Sequence, residues 1–246
     1  RKAFTRSSIG NRKARAMRFF HFSTIMLLLM CFPGPVWAEP TPVGSWLVRE
    51  MGQDDFNFLE ITEDAFTFEE FGGRSRRLDI VVSGISSGLF ELRTKESMPG
   101  DMLMQVESDR GRLILPQSSE GIDCFRRGPL LPHLVGSWTY FDPVGEGAYR
   151  QVEVGPDSFS YTFTDYEGEK EFSGELYPMM GRQEEQSAVF RYRNDDIETQ
   201  SLLEFRPLPG GLLLTLRPKY GQDKPVVLWR TGGEEPPWFK RYLSED

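Results

Sequence analysis

Cysteine and histidine are nearly missing from this chain of 246 residues, which carries two of each. Cys31 and His21 lie in the apolar N-terminal stretch, and only Cys124 and His133 lie beyond it. With residues 1–38 set aside, no intramolecular disulfide can form, so stability has to come from apolar burial. One Cys and one His cannot close a structural zinc site. A histidine-based nucleophilic triad is confined to His133, which sits in a proline-rich joint, Pro132-His133-Leu134, and reads as a surface residue. Cys124, in Ile122-Asp123-Cys124-Phe125, reads as a small core residue, with an intermolecular bridge as the alternative.

Long apolar runs are lacking as well. The longest extends from Phe19 to Phe32, 14 residues, where a membrane-spanning helix wants about 20. Seven basic residues (Arg1, Lys2, Arg6, Arg12, Lys13, Arg15, Arg18) precede it and no acidic one does. Pro33-Gly34-Pro35 closes the run, and Val36-Trp37-Ala38 places small residues at the positions a signal peptidase reads. Residues 1–38 are therefore expected to be a secretion signal cut after Ala38, with Met17 a possible true start. Met30 stands where a lipoprotein motif wants a small residue before its Cys, and no Arg-Arg pair precedes the apolar core. The expected route is the general secretory one, to the periplasm or the medium, without a stable membrane anchor.

Removing that segment changes the charge. The whole chain has 29 basic and 37 acidic residues; the first 38 residues hold seven of the basic and none of the acidic, leaving 22 against 37, a net −15. Such a surface repels phosphate backbones, so nucleic acid is not an expected partner. Amphipathic helices of ordinary length are also missing. The 19 Phe, eight Tyr and five Trp among 24 Gly and 17 Pro favour strands and turns instead.

What is present is a duplication. Val43-Gly44-Ser45-Trp46 recurs as Val135-Gly136-Ser137-Trp138, and residues 59–68 align without a gap on residues 152–161. Phe125-Arg126-Arg127-Gly128 closes the first copy as Trp229-Arg230-Thr231-Gly232 closes the second. Self-similarity on this scale means one structural unit written twice. The units are expected over 39–131 and 132–246, the second about a dozen residues longer, with the surplus in its hairpin loops. Period-two alternation punctuated by turn residues predicts eight strands in each. They fall near 45–50, 56–62, 65–71, 77–83, 89–94, 101–107, 112–116 and 121–127 in the first unit. In the second they fall near 137–141, 149–154, 158–165, 170–177, 187–193, 199–206, 211–217 and 225–231. Thr62-Glu63-Asp64-Ala65 and Gly155-Pro156-Asp157-Ser158 read as hairpin turns. Short antiparallel strands leave exposed edges that closure removes, so the expected fold is all-β, two tandem up-and-down barrels.

A Gly-x-Trp on the first strand with an Arg ending the last resembles the lipocalin or calycin barrel. The matching residues are Gly44, Trp46 and Arg126 in one unit and Gly136, Trp138 and Arg230 in the other. The resemblance implies that the Trp plugs the closed end and the Arg packs across its ring, a pairing that indole and guanidinium chemistry favours by itself. Each unit is about 90 residues, shorter than a full lipocalin, and lacks the frequent disulfide, which makes a compact bacterial lipocalin-like domain the better comparison.

No catalytic residue, cofactor motif or metal ligand set stands out. Asp54-Asp55, Glu184-Glu185 and Asp195-Asp196 lack the alternating ligands and turn Gly of a calcium loop and read as solvated acids. Gly72-Gly73, Gly210-Gly211 and Gly232-Gly233 read as turns. An eight-stranded barrel holds its own side chains or one small ligand. Phe66, Phe68, Met102, Met104, Phe159, Tyr161, Phe190 and Phe205 are expected to fill much of that space. The leading expectation is a non-enzymatic binding or interaction protein whose outer faces and loops meet a protein partner. A carrier of a small apolar ligand in a barrel mouth is the alternative, and a hydrolase or lyase the third reading.

Overall fold

In both copies the strands alternate, inward side chains apolar and outward ones polar, and that pattern closes on itself. The computed structural model describes residues 39–49, 55–95, 100–116, 118, 120–142, 148–165, 168–181, 184–194, 197–218, 223–234, 236 and 239. The expected secretion signal and most of the C-terminal tail lie outside the described residues. The first copy contributes β1 (Gly44–Arg49), β2 (Asn57–Ile61), β3 (Ala65–Glu69), β4 (Ser75–Ser86), β5 (Leu89–Thr94), β6 (Met102–Glu107), β7 (Arg110–Ile114) and β8 (Gly121–Arg126). The second contributes β9 (Gly136–Asp142), β10 (Ala148–Val154), β11 (Ser158–Asp165), β12 (Gly168–Pro178), β13 (Gln186–Asn194), β14 (Ile197–Leu208), β15 (Gly211–Pro218) and β16 (Lys224–Arg230).

Each set is an antiparallel up-and-down barrel closed by its first and last strands, β1 on β8 and β9 on β16. The closing register sets Trp46 opposite Arg126 and Trp138 opposite Arg230. Every strand expected from the alternation is present, with ends shifted by a few residues. Both expected turns are there: Thr62 N donates to the Ala65 carbonyl at 2.8 Å, and Gly155 N to the Ser158 carbonyl at 2.8 Å.

The two interiors are separate cores. Trp46, Leu59, Ile80, Leu92, Met104 and Leu113 fill the first, together with Cys124. Trp138, Phe159, Phe190, Leu203, Phe205 and Leu214 fill the second, where Leu130 and Leu134 from the joint also pack. Complete burial of such a side chain is worth about 1.5–3 kcal/mol, and among the described residues no disulfide contributes.

One expectation fails. The surplus length of the second copy is in its strands, not its hairpin loops. β11 has eight residues where β3 has five, and β14 has 12 where β6 has six. At roughly 3.3 Å per residue the second barrel gains about 10 Å along β11. Turn residues at similar spacing in both copies hid this, because period-two alternation continues through the added residues.

Candidate functional site

The residues singled out in the sequence form two copies of one floor. In the first barrel, Trp46 Nε1 donates to the Pro42 carbonyl at 2.9 Å, and the Arg126 guanidinium lies 4.3 Å from the Trp46 ring centre. Arg126 Nη1 donates to the Val43 carbonyl at 3.2 Å and Nη2 to the Thr41 carbonyl. The second barrel repeats each contact: Trp138 Nε1 to the Leu134 carbonyl at 2.9 Å, and Arg230 at 4.0 Å from the Trp138 ring. Arg230 Nη1 donates to the Val135 carbonyl at 2.8 Å and Nη2 to the His133 carbonyl at 2.6 Å. Burial alone lowers the Arg126 pKa from its ordinary value.

The glycines belong to the same device. Gly44 has φ +140° and Gly136 φ +131°, a region side chains avoid. A Cβ on Gly44 would stand 3.2 Å from Arg126 Nη1, and one on Gly136 only 2.3 Å from Arg230 Nη1. Glycine is there because backbone and guanidinium occupy the side chain's place. These six residues close the barrels.

The interior residues expected to fill the barrels do so. Phe159, Phe190 and Phe205 are at most 1 % exposed, Met104 is fully buried, and Tyr161, Phe172 and Tyr192 pack partly buried above them. Tyr161 and Phe172 stack at 5.5 Å, Phe190 and Tyr192 at 4.7 Å, and Lys224 Nζ lies 5.5 Å from the Phe163 ring centre. Burial raises the Tyr161 and Tyr140 hydroxyls above the ordinary tyrosine range. Cys124 is 1 % exposed within the first core, and burial pushes its thiol up to about 12. A bridge to another molecule is incompatible with that position while the barrel is closed. His133 is exposed in the joint.

Sequence reasoning missed the seam between the barrels. Leu47, Phe56, Met179 and Val189 are buried on outward faces, with Phe58, Phe125, Tyr177 and Leu202 packed on them. Gln200 clamps the seam: its Oε1 accepts from Phe56 N at 2.8 Å and its Nε2 donates to the Phe56 carbonyl at 2.9 Å. Gln186 ties down the joint, accepting from Leu131 N at 2.8 Å and donating to the Pro129 carbonyl at 2.9 Å. The chain leaving β8 also pairs with the end of β12 through an Arg127–Met179 bridge, Met180 N donating to the Arg126 carbonyl at 2.8 Å. Pro40–Asp246, which holds both barrels, is accordingly one compact unit.

Among the described residues, clefts flank the seam, two of which stand out. The larger, about 360 Å³, has Arg49, Phe56, Arg110 and Phe125 on the first barrel's wall and Met179, Met180, Leu202 and Arg206 on the second's. Phe56 and Phe125 meet edge to face at 6.1 Å. The smaller, about 160 Å³, lies between Phe58, Glu60, Glu69, Arg127 and Tyr177. Beside it Arg191 donates to Glu198 Oε1 at 2.9 Å and reaches Glu69 of the first barrel at 3.9 Å. Burial opposes the Arg191 charge, but its bonds to Glu198 and Tyr177 outweigh that and its pKa ends raised.

Glu185 bridges Arg206 at 3.2 Å, Glu184 is exposed, and Asp54, Asp195 and Asp196 lie outside the described residues. Among the described residues no group of three or more His, Cys, Asp or Glu is placed to hold a metal ion. No known protein-family model matches the chain, and no curated protein matches it. What the chain displays is a duplicated floor, two filled cores and a locked seam flanked by clefts.

Proposed function

We propose that this is an exported, non-catalytic binding protein whose two barrels act as one rigid body and meet a protein partner along the larger inter-barrel cleft. The observation that carries this reading is that cleft: aromatic rings, two methionines and arginines gathered where two barrels lock, next to interiors occupied by their own side chains. Mixed aromatic, Met and Arg lining is what protein-binding surfaces concentrate, and Met adapts to varied partner shapes. Export rests on the basic, apolar and small-residue order of residues 1–38.

The test is a photo-crosslinking amino acid placed at Met180, 48 % exposed on the cleft, or at Lys224 at the opening of the second barrel, with irradiation in the producing cell. A discrete adduct at Met180, absent at Lys224 and competed away by excess unlabelled protein, supports the reading. Adducts only at Lys224, or at neither site, overturn it.

A second reading has one observation behind it. The taller second barrel carries Tyr161, Phe163, Phe172 and Tyr192 as a partly buried aromatic tier above its packed core, the place where a small apolar ligand would sit. Native mass spectrometry showing no retained or acquired apolar ligand counts against it.

A further inference from the structure

Arg49 and Arg110 share one cleft, and neither forms an ion pair with any described carboxylate. Even Asp123, directly across from Arg49 on β8, forms no ion pair with it. Each guanidinium instead lies over an aromatic ring, Arg49 at 5.8 Å from Phe56 and Arg110 at 5.9 Å from Phe125. The two rings are themselves in edge-to-face contact, so one aromatic pair carries two like charges. The opposite wall is different. Its Arg206 is bridged to Glu185, and its Glu204 to Arg217 at 2.9 Å. Asp109, which also lines the cleft, has an interaction of its own.

We infer that this wall receives an acidic peptide segment of the partner, with carboxylates on Arg49 and Arg110 and one apolar side chain between Phe56, Phe125, Met179 and Leu202. The inference rests on the proposed partner-binding reading and adds the chemistry of the segment. Guanidiniums resting on rings keep their in-plane N–H groups free, and charge-assisted bonds to carboxylates are the strong class. A volume of about 360 Å³ is near the low end for ligand sites and suits a side chain with its flanking carboxylates rather than a bulky ligand. Arg49, Arg110, Met180 and Arg206 are all exposed, so the cleft is accessible to a chain laid along it. Residues 39–246 carry a net −15, which disfavours an acidic segment over much of their surface.

The test uses fluorescence anisotropy on the mature protein with a labelled probe, Glu-Phe-Asp-Leu-Glu, against its amide counterpart, Gln-Phe-Asn-Leu-Gln. The acidic probe is expected to bind at least tenfold more tightly, and to lose that preference in about 0.5 M salt. The double substitution Arg49→Gln and Arg110→Gln should abolish the preference, Arg110→Lys should retain part of it, and Arg93→Gln on a remote face should leave it intact. Both arginines are exposed, so an unchanged melting curve checks that the double variant is folded. Equal binding of the two probes, or a preference that survives the double substitution, overturns the inference. So does 3-phenylpropionate binding as tightly as the peptide, which would assign the wall to small acids. A competed adduct at Met180 without any acidic preference would remove this inference alone and leave the partner reading standing.

Discussion

The duplicated floor contains its own control, because the same glycine stands in two slightly different places. Replacing Gly44 by Ala puts a side chain at φ +140° and 3.2 Å from Arg126 Nη1, a tight approach that a small shift relieves. The backbone strain then dominates, at about 1–3 kcal/mol. Replacing Gly136 imposes the same strain at φ +131°, but its Cβ would stand 2.3 Å from Arg230 Nη1, which no side chain tolerates. The guanidinium has to shift. That weakens its bonds to the Val135 and His133 carbonyls and its contact 4.0 Å from the Trp138 ring. Hydrogen bonds to a charged group are worth about 1.5–3 kcal/mol each before solvent screening, so even half of one such bond adds close to 1 kcal/mol. Gly136→Ala should therefore cost about 1–3 kcal/mol more than Gly44→Ala. Urea unfolding followed by far-ultraviolet circular dichroism measures both, with the slope checking that the unfolded states are comparable. Equal losses, or a larger loss for Gly44→Ala, would refute the account of why glycine stands there.

Gln200→Ala removes both hydrogen bonds to Phe56 and leaves a buried amide and carbonyl without them, at about 1–3 kcal/mol each. Calorimetry should show a single unfolding transition split into two, one per barrel; an unsplit transition with unchanged melting temperature would sink the idea that Gln200 locks the seam. The alkaline limb has a definite sign. Burial raises Tyr161 above its ordinary value of 10.0, so the folded state holds a proton that the unfolded chain releases, and stability falls as pH rises past about 10. Tyr161→Phe should flatten the decline in stability between pH 10 and 11, and an identical slope in both proteins would show that another group is responsible.

Strand order, barrel closure and the floor pairs were legible because each depends on short-range pattern. Alternation marks which side chains face in, and a repeated Gly-Ser-Trp with a closing Arg marks where each barrel begins and ends. The seam was not read, although it left a trace. Trp46-Leu47-Val48, Ala188-Val189-Phe190 and Leu202-Leu203 are apolar at consecutive positions, which breaks the alternation. In a strand that means both faces are covered. Leu47 and Val189 are the outward members of such runs, and both are fully buried. Which surfaces cover one another could not be read, since Phe56 and Gln200 are 144 residues apart and no local pattern joins them. Arg49 and Arg110 gave no signal at all, because a missing ion pair is a property of space.

The seam joins unlike faces of like barrels. The β1, β2 and β8 face of the first barrel meets the β12, β13 and β14 face of the second. Two unlike faces in contact define a head-to-tail interface, which is open to further copies unless its ends are blocked. At the second barrel the counterpart of the seam residue Phe125 is Trp229, and there Phe239 from the tail covers it, with ring centres 5.0 Å apart, over Val227 and Phe141. At the first barrel the free face runs along β4 and β5. It carries Ser83, Glu91 and Arg93 joined by hydrogen bonds and an ion pair, although Val81 and Ile85 remain half exposed. Polar or covered faces of this kind resist stacking of another unit. The cleft walled by Arg49, Phe56, Arg110 and Phe125 thus lies where two unlike faces meet, and each face contributes a different wall. Different outer faces over a repeated floor are thus what let two copies of one fold lock in a single orientation.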